Sequence, residues 1–393
     1  MLFQLFRKTP LAWRQLMKEK TRLAIAVAGI TFADMLMFIQ MGFESALFDA
    51  AIQPHRNLQA DLVLINPQFE TLFSVKSFSR EKLYQALSYD GVKSVSSIYI
   101  STGQWRNPQT RIDRAILVWG IDPAQPGLRF PEVQQNKDYL KQLHQVMFDQ
   151  AGRPEYGAVG EIFKNTGNFQ TELNSKFVSV KGLFSNGASF AADGNVIASD
   201  STFLQLFPTR KADQIEVGLI TLQPGADIEK VKAQLKIGLN PDQKNPFVQV
   251  DTPEGFAQKE KSYWANGTGI GFIFGLGVGV GFIVGIVIVY QILYSDVADH
   301  LPEYATLKAM GYSDSYFLVV LLQEALFLAV LGYLPAFFLS FGLYQLTYSA
   351  TLLPIFMKTD RAINVFILTV IMCSVSGAIA IRKLSSADPA DVF

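Results

Sequence analysis

Apolar residues in this chain gather into four long runs, about Leu23–Phe43, Thr268–Tyr294, Tyr316–Tyr344 and Ala362–Ile381. A run of about 18 or more apolar residues is long enough to cross the hydrocarbon core as a helix. The expected fold is therefore an α-helical membrane protein with four transmembrane helices. An α+β extracytoplasmic (periplasmic) domain is inserted between helices 1 and 2. Composition agrees: 49% of the 393 residues are hydrophobic, only 17% are charged, and mean hydropathy is +0.21. Soluble domains carry roughly a quarter charged residues. Lys+Arg and Asp+Glu both number 34, so no charge excess points to nucleic acid. The lone Cys373 excludes an intramolecular disulfide and, inside an apolar run, reads as a small buried hydrophobe. Three His and one Cys argue against a structural zinc site.

Residues 1–22 come first. Leu2, Leu5, Phe6, Trp13, Leu16 and Met17 recur at helical spacing, with Arg7, Lys8, Arg14, Lys18, Lys20 and Arg22 between them. A basic amphipathic helix of this kind lies in the headgroup plane, so 1–22 is expected to be a cytoplasmic amphipathic helix. The span at 23–43 follows basic residues, as a signal peptide would. It is too long for an h-region of about 7–15 residues, and it is read as a retained helix. Within it Asp34 and Gln40 are intramembrane polar residues. A carboxylate in a membrane helix costs a few kcal/mol on insertion scales, of the order of 3. Asp34 is therefore expected to face a partner helix or a wet cavity, or to be protonated or paired with backbone or water.

The block 44–262 is the water-soluble part. Leu58–Ile65, Val92–Ser101, Ala115–Gly120, Ile215–Leu222 and Phe247–Val250 read as strands, and Glu81–Leu87 as a short helix. Pro224-Gly225 is a turn, and Asp227 caps a helix over about Ile228–Leu239. The middle, 121–212, is rich in Gly, Asn, Phe and Gln with weaker periodicity. The expectation is two subdomains, a porter-like one at 44–120 and 213–262 with 121–212 inserted into it.

The second span, 268–294, carries ordered glycines. Gly267, Gly271, Gly275 and Gly279 fall at steps of four, as do Gly277, Gly281 and Gly285. Small residues at that spacing let helix backbones approach closely in lipid, so Gly271, Gly275 and Gly279 are expected to pack against another helix or a second subunit. A nucleotide-binding glycine loop does not fit, because these glycines lie inside an apolar run and not after a strand. The third span, 316–344, contains Pro335, with Glu324 near its start; the fourth covers 362–381. The basic N-terminal flank and Arg382-Lys383 after the last span place both termini inside. The loop 345–361 then lies outside, and 295–315 and the tail 382–393 lie inside. The 295–315 loop breaks the positive-inside tendency, with Lys308 against Asp296, Asp299, Glu303 and Asp314.

That loop is the most structured connection in the sequence. Pro302 suits a first helical turn, Glu303 and Lys308 suit the two ends of the macrodipole, and Gly311 suits the stop. A short capped helix between two spans is either a docking helix for a partner or an interfacial helix on lipid headgroups.

The stretch Glu303-Tyr304-Ala305-Thr306-Leu307-Lys308-Ala309-Met310-Gly311 resembles the cytoplasmic loop of FtsX/MacB-type permeases, the type VII ABC transporter family. Pro10-Leu11-Ala12-Trp13, Gly29-Ile30-Thr31-Phe32-Ala33, Gln40-Met41-Gly42-Phe43 and Asp388-Pro389-Ala390 are similar more narrowly to DevC-type permeases of cyanobacteria. The resemblance implies a homodimeric, non-catalytic permease subunit of an ABC exporter in the bacterial inner membrane. It implies coupling through Glu303–Gly311 to a separate ABC ATPase that binds the ATP. It also implies a periplasmic membrane fusion protein, a TolC-like outer-membrane protein, and a lipid or glycolipid cargo of the heterocyst type. Motion is relayed to the periplasmic domain, a process called mechanotransmission.

The residues support part of this directly. No Gly-x-x-x-x-Gly-Lys-Ser/Thr loop is present, so the phosphate cradle of an ATPase is missing. Sequence around Glu44–Ile52 and Glu254–Trp264 permits helix, so the first two spans are able to continue outward as stalks. An FtsX-like transmembrane regulator and a lipoprotein-releasing permease share the layout and stand as alternatives. His55 and His144 come with neither a Gly-x-Ser-x-Gly elbow nor a metal-spaced cluster, which argues against an enzyme.

Overall fold

The computed structural model describes residues 17–385, apart from 126, 190–191, 301, 303–305, 307–309 and 312–313. The amphipathic helix expected over 1–22 lies mostly outside them, as does the tail after 385. The elements are, in order, α1 (Lys20–Arg56), β1 (Leu62–Ile65), β2 (Phe78–Ser79), α2 (Arg80–Gln85), β3 (Val92–Arg106), β4 (Asp113–Ile121), α3 (Pro131–Leu140) and β5 (Gln145–Asp149). Then come α4 (Val159–Thr166), β6 (Phe169–Leu173), β7 (Lys176–Phe184), β8 (Asn195–Ser199), α5 (Asp200–Leu206), β9 (Gln214–Ile215), β10 (Val217–Leu222), α6 (Ile228–Gly238), β11 (Gln249–Asp251) and α7 (Pro253–Ser262). The chain ends in α8 (Ile270–Asp299), α9 (Asp314–Thr351) and α10 (Thr359–Ser385). It divides into two compact units: 1–46, 270–351 and 355–393 form one, and 47–269 with 352–354 the other.

The first unit holds helices long and apolar enough to cross a membrane, within Lys20–Arg56, Ile270–Asp299, Val319–Thr351 and Thr359–Ala380. Many of their large side chains are exposed, including Phe272, Ile283, Phe338 and Ile371. That is the expected state of helices whose outer surface meets lipid. Their inner surface is built from small and medium side chains. Ala26, Ile30 and Ala33 of α1 meet Val289 and Leu293 of α8, Ala325 and Ala329 of α9, and Met372 and Cys373 of α10. Polar side chains add cross-links between helices: Thr31 Oγ1 donates to Gly332 O at 3.0 Å, and Ser376 Oγ to Ile286 O at 2.9 Å. Pro335 lies inside α9, which continues to Thr351.

The second unit is a mixed sheet in the order β11-β1-β10-β3-β4-β8-β5-β7-β6. Alternation along the strands feeds a core on each face. Leu62 and Leu64 of β1 enter one cluster with Tyr99 and Trp105, while Val63 and Ile65 enter the other with Ile98, Ile100 and Trp119. The segment 121–212, expected as an inserted subdomain, continues the sheet of the flanking parts. It supplies β5, β6, β7 and β8 to the same sheet, because β8 pairs in parallel with β4 over Leu117↔Asn195 to Ile121↔Ser199. The 15-residue β3 makes this possible. Its first part pairs with β10, and β4 follows it to Arg106↔Asp113. Near its end Trp105 pairs with Leu173 of β6, so six strands close on themselves. Trp105 is fully buried there; its ring centroid lies 4.8 Å from that of Phe148, and its indole N–H donates to Tyr156 O at 3.2 Å.

Candidate functional site: the span bundle and its connecting segment

The segment joining α8 to α9 was expected to be a short capped helix. Of its residues, Glu303, Tyr304, Ala305, Leu307, Lys308 and Ala309 lie outside the described ones. Pro302 and Thr306 are helical, and the Thr306 hydroxyl donates to Pro302 O at 2.9 Å. The Met310 N–H donates to Thr306 O at 3.1 Å. Gly311 then takes φ +94°, the left-handed conformation that ends helices and favours glycine. Met310 is 64% exposed, an apolar side chain offered to the surroundings at the last turn.

The glycines of α8 sort into two rows. Gly277, Gly281 and Gly285 pack within the chain. A methyl group at Gly277 would strike the Gln40 amide, and one at Gly281 would sit 3.2 Å from Met37 Cγ and 3.4 Å from Ala33 O. At Gly285 it would collide with Met372 and lie 3.1 Å from Ala33 Cβ. These positions are where α8 meets α1 and α10. Gly275 and Gly279 have nothing within 4 Å of such a methyl, and Gly271 is half-buried. Beside them Ile273, Leu276, Val280, Ile283 and Val287 are exposed at alternating steps of three and four. The row expected to pack is therefore open in one chain, and the other row makes the intrachain contact. Both rows have the same spacing in sequence, so only the helix's rotation distinguishes them.

Asp34 is fully buried between α1 and α10. The Thr369 hydroxyl lies 2.8 Å from Asp34 Oδ1 and 2.8 Å from Val365 O, and Asp34 Oδ2 has no partner among the described residues. Gln40 lies against Gly277, so the two intramembrane polar residues of α1 face different neighbours.

Other buried polar groups were not read from the sequence as site residues. At one end of the bundle Arg361 is 4% exposed. It donates to Phe356 O at 3.0 Å and to the Ser45 hydroxyl, and its guanidinium lies 5.3 Å from the Tyr344 ring centroid. Tyr344 donates in turn to Phe38 O. Arg361 and Ser45 are 316 positions apart, so no linear pattern announces the pair. At the other end Asp296 and Glu324 are buried together near Arg22.

The second unit has its own buried polar cluster where α1 ends. Glu260 of α7 accepts from the Leu72 N–H at 2.9 Å and from the Trp264 indole at 2.9 Å. His55 Nε2 lies 3.4 Å from the same carboxyl, with the His55 ring edge-on to Phe256 at 4.4 Å. Next to it Lys259 donates to Gln249 Oε1 at 2.7 Å and Pro67 O at 3.3 Å. Burial pushes the Lys259 ammonium below its ordinary value, opposed by Asp251 and Glu70.

The last three membrane-length helices and the segment within them can be compared with known families. Residues 275–389 match the FtsX-like permease C-terminal family. The FtsX-like stretch thus holds most of α8, the 300–313 connection, α9 and α10. No curated protein matches the chain. Among solved structures, the periplasmic region of MacB from Actinobacillus actinomycetemcomitans is similar at 13% identity and TM-score 0.36, covering 51% of this chain and 92% of that one. The extracellular domain of the noncanonic ABC-type transporter YknZ from Gram-positive bacteria is similar at 17% identity and TM-score 0.33, covering 49% and 99%.

Proposed function

We propose that this chain is the permease subunit of an ABC exporter. It passes the motion of a separate ATPase, which binds the ATP, through the 300–313 segment to the domain between its first and second spans. The match of residues 275–389 to the FtsX-like permease C-terminal family carries this reading, because it takes in that segment and the spans on either side. Two features are in keeping with it. α1 runs without a break from Lys20 to Arg56, as a lever must. The exposed Met310 offers an apolar contact at the end of the connecting helix.

In this reading the chain works as a homodimer, and the open face of α8 at Gly275 and Gly279 meets the second copy. A periplasmic membrane fusion protein and a TolC-like outer-membrane protein complete the path. The cargo is lipid-like, with a glycolipid of the heterocyst type as the specific expectation. The chain sits in the inner membrane of a bacterium, a cyanobacterium on the DevC-type resemblance, with both termini cytoplasmic.

The test is ATPase coupling. Leu307→Asp or Met310→Asp, reconstituted with a candidate partner ATPase that the unaltered chain stimulates, should abolish stimulation of ATP hydrolysis while membrane insertion stays intact. Undiminished stimulation in both variants would remove the segment from the coupling path.

A further inference from the structure

Among the described residues, the carboxyls of Glu19, Asp296, Asp299 and Glu324 gather around Arg22 at the end of the helical bundle next to the 300–313 connection. Asp296 lies in the last turn of α8 and Glu324 faces it from α9; they are 5% and 1% exposed. Both line the same small pocket, beside Arg22, Ala26 and Leu293. Among the described residues, the other charged or titratable groups that face them are Glu19 and Arg22 at the start of α1, and Asp299 and His300 at the end of α8. Arg22 is shared. Its Nη1 lies 2.9 Å from Glu19 Oε2 and 3.6 Å from Asp296 Oδ1, and its Nη2 pairs with Asp299. His300 Nδ1 lies 3.0 Å from the Asp296 carbonyl oxygen and 3.7 Å from Asp296 Oδ1.

Arg22 forms ion pairs with Glu19, Asp296 and Asp299, and among the described residues it reaches the fourth carboxyl, Glu324, only as a more distant charge. Asp296 Oδ2 and Glu324 Oε2 also have no donor among the described residues. Two ionised carboxylates buried in contact repel, and such pairs share a proton instead. A hydrogen bond between two carboxyl groups needs one proton.

The cavity that the pair lines decides which cation neutralises it. It measures about 10 Å³ and is lined on its apolar side by Ala26, Leu293 and Leu328. That is the lower limit for one water molecule. Magnesium and calcium need about six or more oxygen ligands, which neither this space nor this donor set supplies.

We propose that Asp296 and Glu324 form a single-proton site that clasps the second and third membrane helices beside the connecting segment. The proton resides on Glu324, because Arg22 and His300 lie on the Asp296 side. The protonated Glu324 donates to the Asp296 carboxylate. Release of the proton to solvent leaves two like charges face to face, which drives α8 and α9 apart. The clasped form binds the proton more tightly than the parted form, so clasping is favoured at low pH and weakens as pH rises. Any movement of the connecting segment that parts its two flanking helices is then linked to loss of one proton. This linkage follows from the bundle and holds whatever the chain transports.

The experiment uses the full-length chain in lipid nanodiscs, with Cys373→Ser and a cysteine pair introduced on α8 and α9 beside the site. Cross-linking yield is read against pH in the wild-type background, in Glu324→Gln and in Asp296→Asn. An amide in either position donates permanently to the remaining carboxyl. In the wild-type background the clasped-to-parted ratio should fall roughly tenfold or more between about pH 6 and pH 9, since one proton allows up to about tenfold per pH unit. Both amide variants should change less than about twofold over the same range. Infrared spectra at neutral pH should show one protonated carboxyl fewer in Glu324→Gln, and the same number in an Asp296→Glu control. Where Glu324→Gln does not fold, Asp296→Asn alone carries the test. Equal pH dependence in the variant and the wild-type background, or an infrared band untouched by Glu324→Gln, overturns the proposal.

Discussion

The two glycine rows of α8 make a sharp prediction, because they share spacing and composition and differ only in what lies opposite. Consider Gly281→Leu and Gly279→Leu. At Gly281 the first added carbon already sits 3.2 Å from Met37 Cγ and 3.4 Å from Ala33 O, which is backbone and cannot yield without moving α1. Gly281 is buried, so the rest of the leucine side chain should push α1 and α8 apart. Overpacking of a filled site costs about 1–3 kcal/mol, which lowers the folded-to-unfolded ratio roughly 5- to 150-fold at about 1.4 kcal/mol per tenfold. At Gly279 the first added carbon has no described neighbour within 4 Å, so the bundle should be unaffected. What Gly279→Leu should lose is pairing with a second copy, where small residues permit close backbone approach. The assay is thermal unfolding of the detergent-solubilised protein alongside cross-linking between subunits. Gly281→Leu should lower the unfolding temperature without a specific effect on pairing, and Gly279→Leu should do the reverse. Equal thermal loss in the two variants would refute the assignment of the rows. Normal pairing in Gly279→Leu would mean that its face meets lipid.

Two further predictions concern the second unit. Glu260→Ala orphans the buried Leu72 N–H, at about 1–3 kcal/mol, and removes the carboxyl that the Trp264 indole donates to. Amide exchange at Leu72 should speed up markedly, and unchanged protection there would show that the contact does not matter. Lys259 titrates below its ordinary value because it is buried. The native state then binds that proton less tightly than the unfolded chain does. Stability should rise as pH climbs from the depressed value towards the ordinary lysine value of about 10.4. It should be lost again as pH falls back through the depressed value. Lys259→Met keeps the stem and removes the titration, so parallel alkaline profiles for variant and wild type would contradict the burial argument.

Much of the local structure is legible in the residues themselves. Asp227 accepts from the Lys230 N–H at 3.1 Å at the start of α6, a cap that a short polar side chain before an apolar-periodic stretch announces. Gly311 takes the positive φ that its place after Met310 suggests. Strand ends are less legible. β3 runs on to Arg106, past the Ser101 expected from its pattern, because β4 pairs with it all the way to Asp113. The polar residues after Ser101 give no hint of that partner.

The buried polar groups divide along the same line. Asp34 is visible in the sequence, since a carboxylate in an apolar run stands out without reference to any other residue. Arg361 and Glu260 do not stand out, because each sits near the end of an apolar or mixed stretch where a charge is ordinary. Their burial depends on partners at Ser45, Tyr344, His55 and Leu72, which come from elsewhere in the chain.

The sequence by itself determined the number and placement of membrane-length helices, because a hydrocarbon slab selects on the length and polarity of a continuous run and asks nothing about neighbours. It also determined the caps and stops, which are settled within a turn of helix. Tertiary structure alone decided that 121–212 belongs to the main sheet. It alone decided which glycine row packs inward, and that Asp296 meets Glu324. Those outcomes depend on strand order and helix rotation. Both are set by the sum of many distant contacts, and a local pattern of residues does not contain that sum.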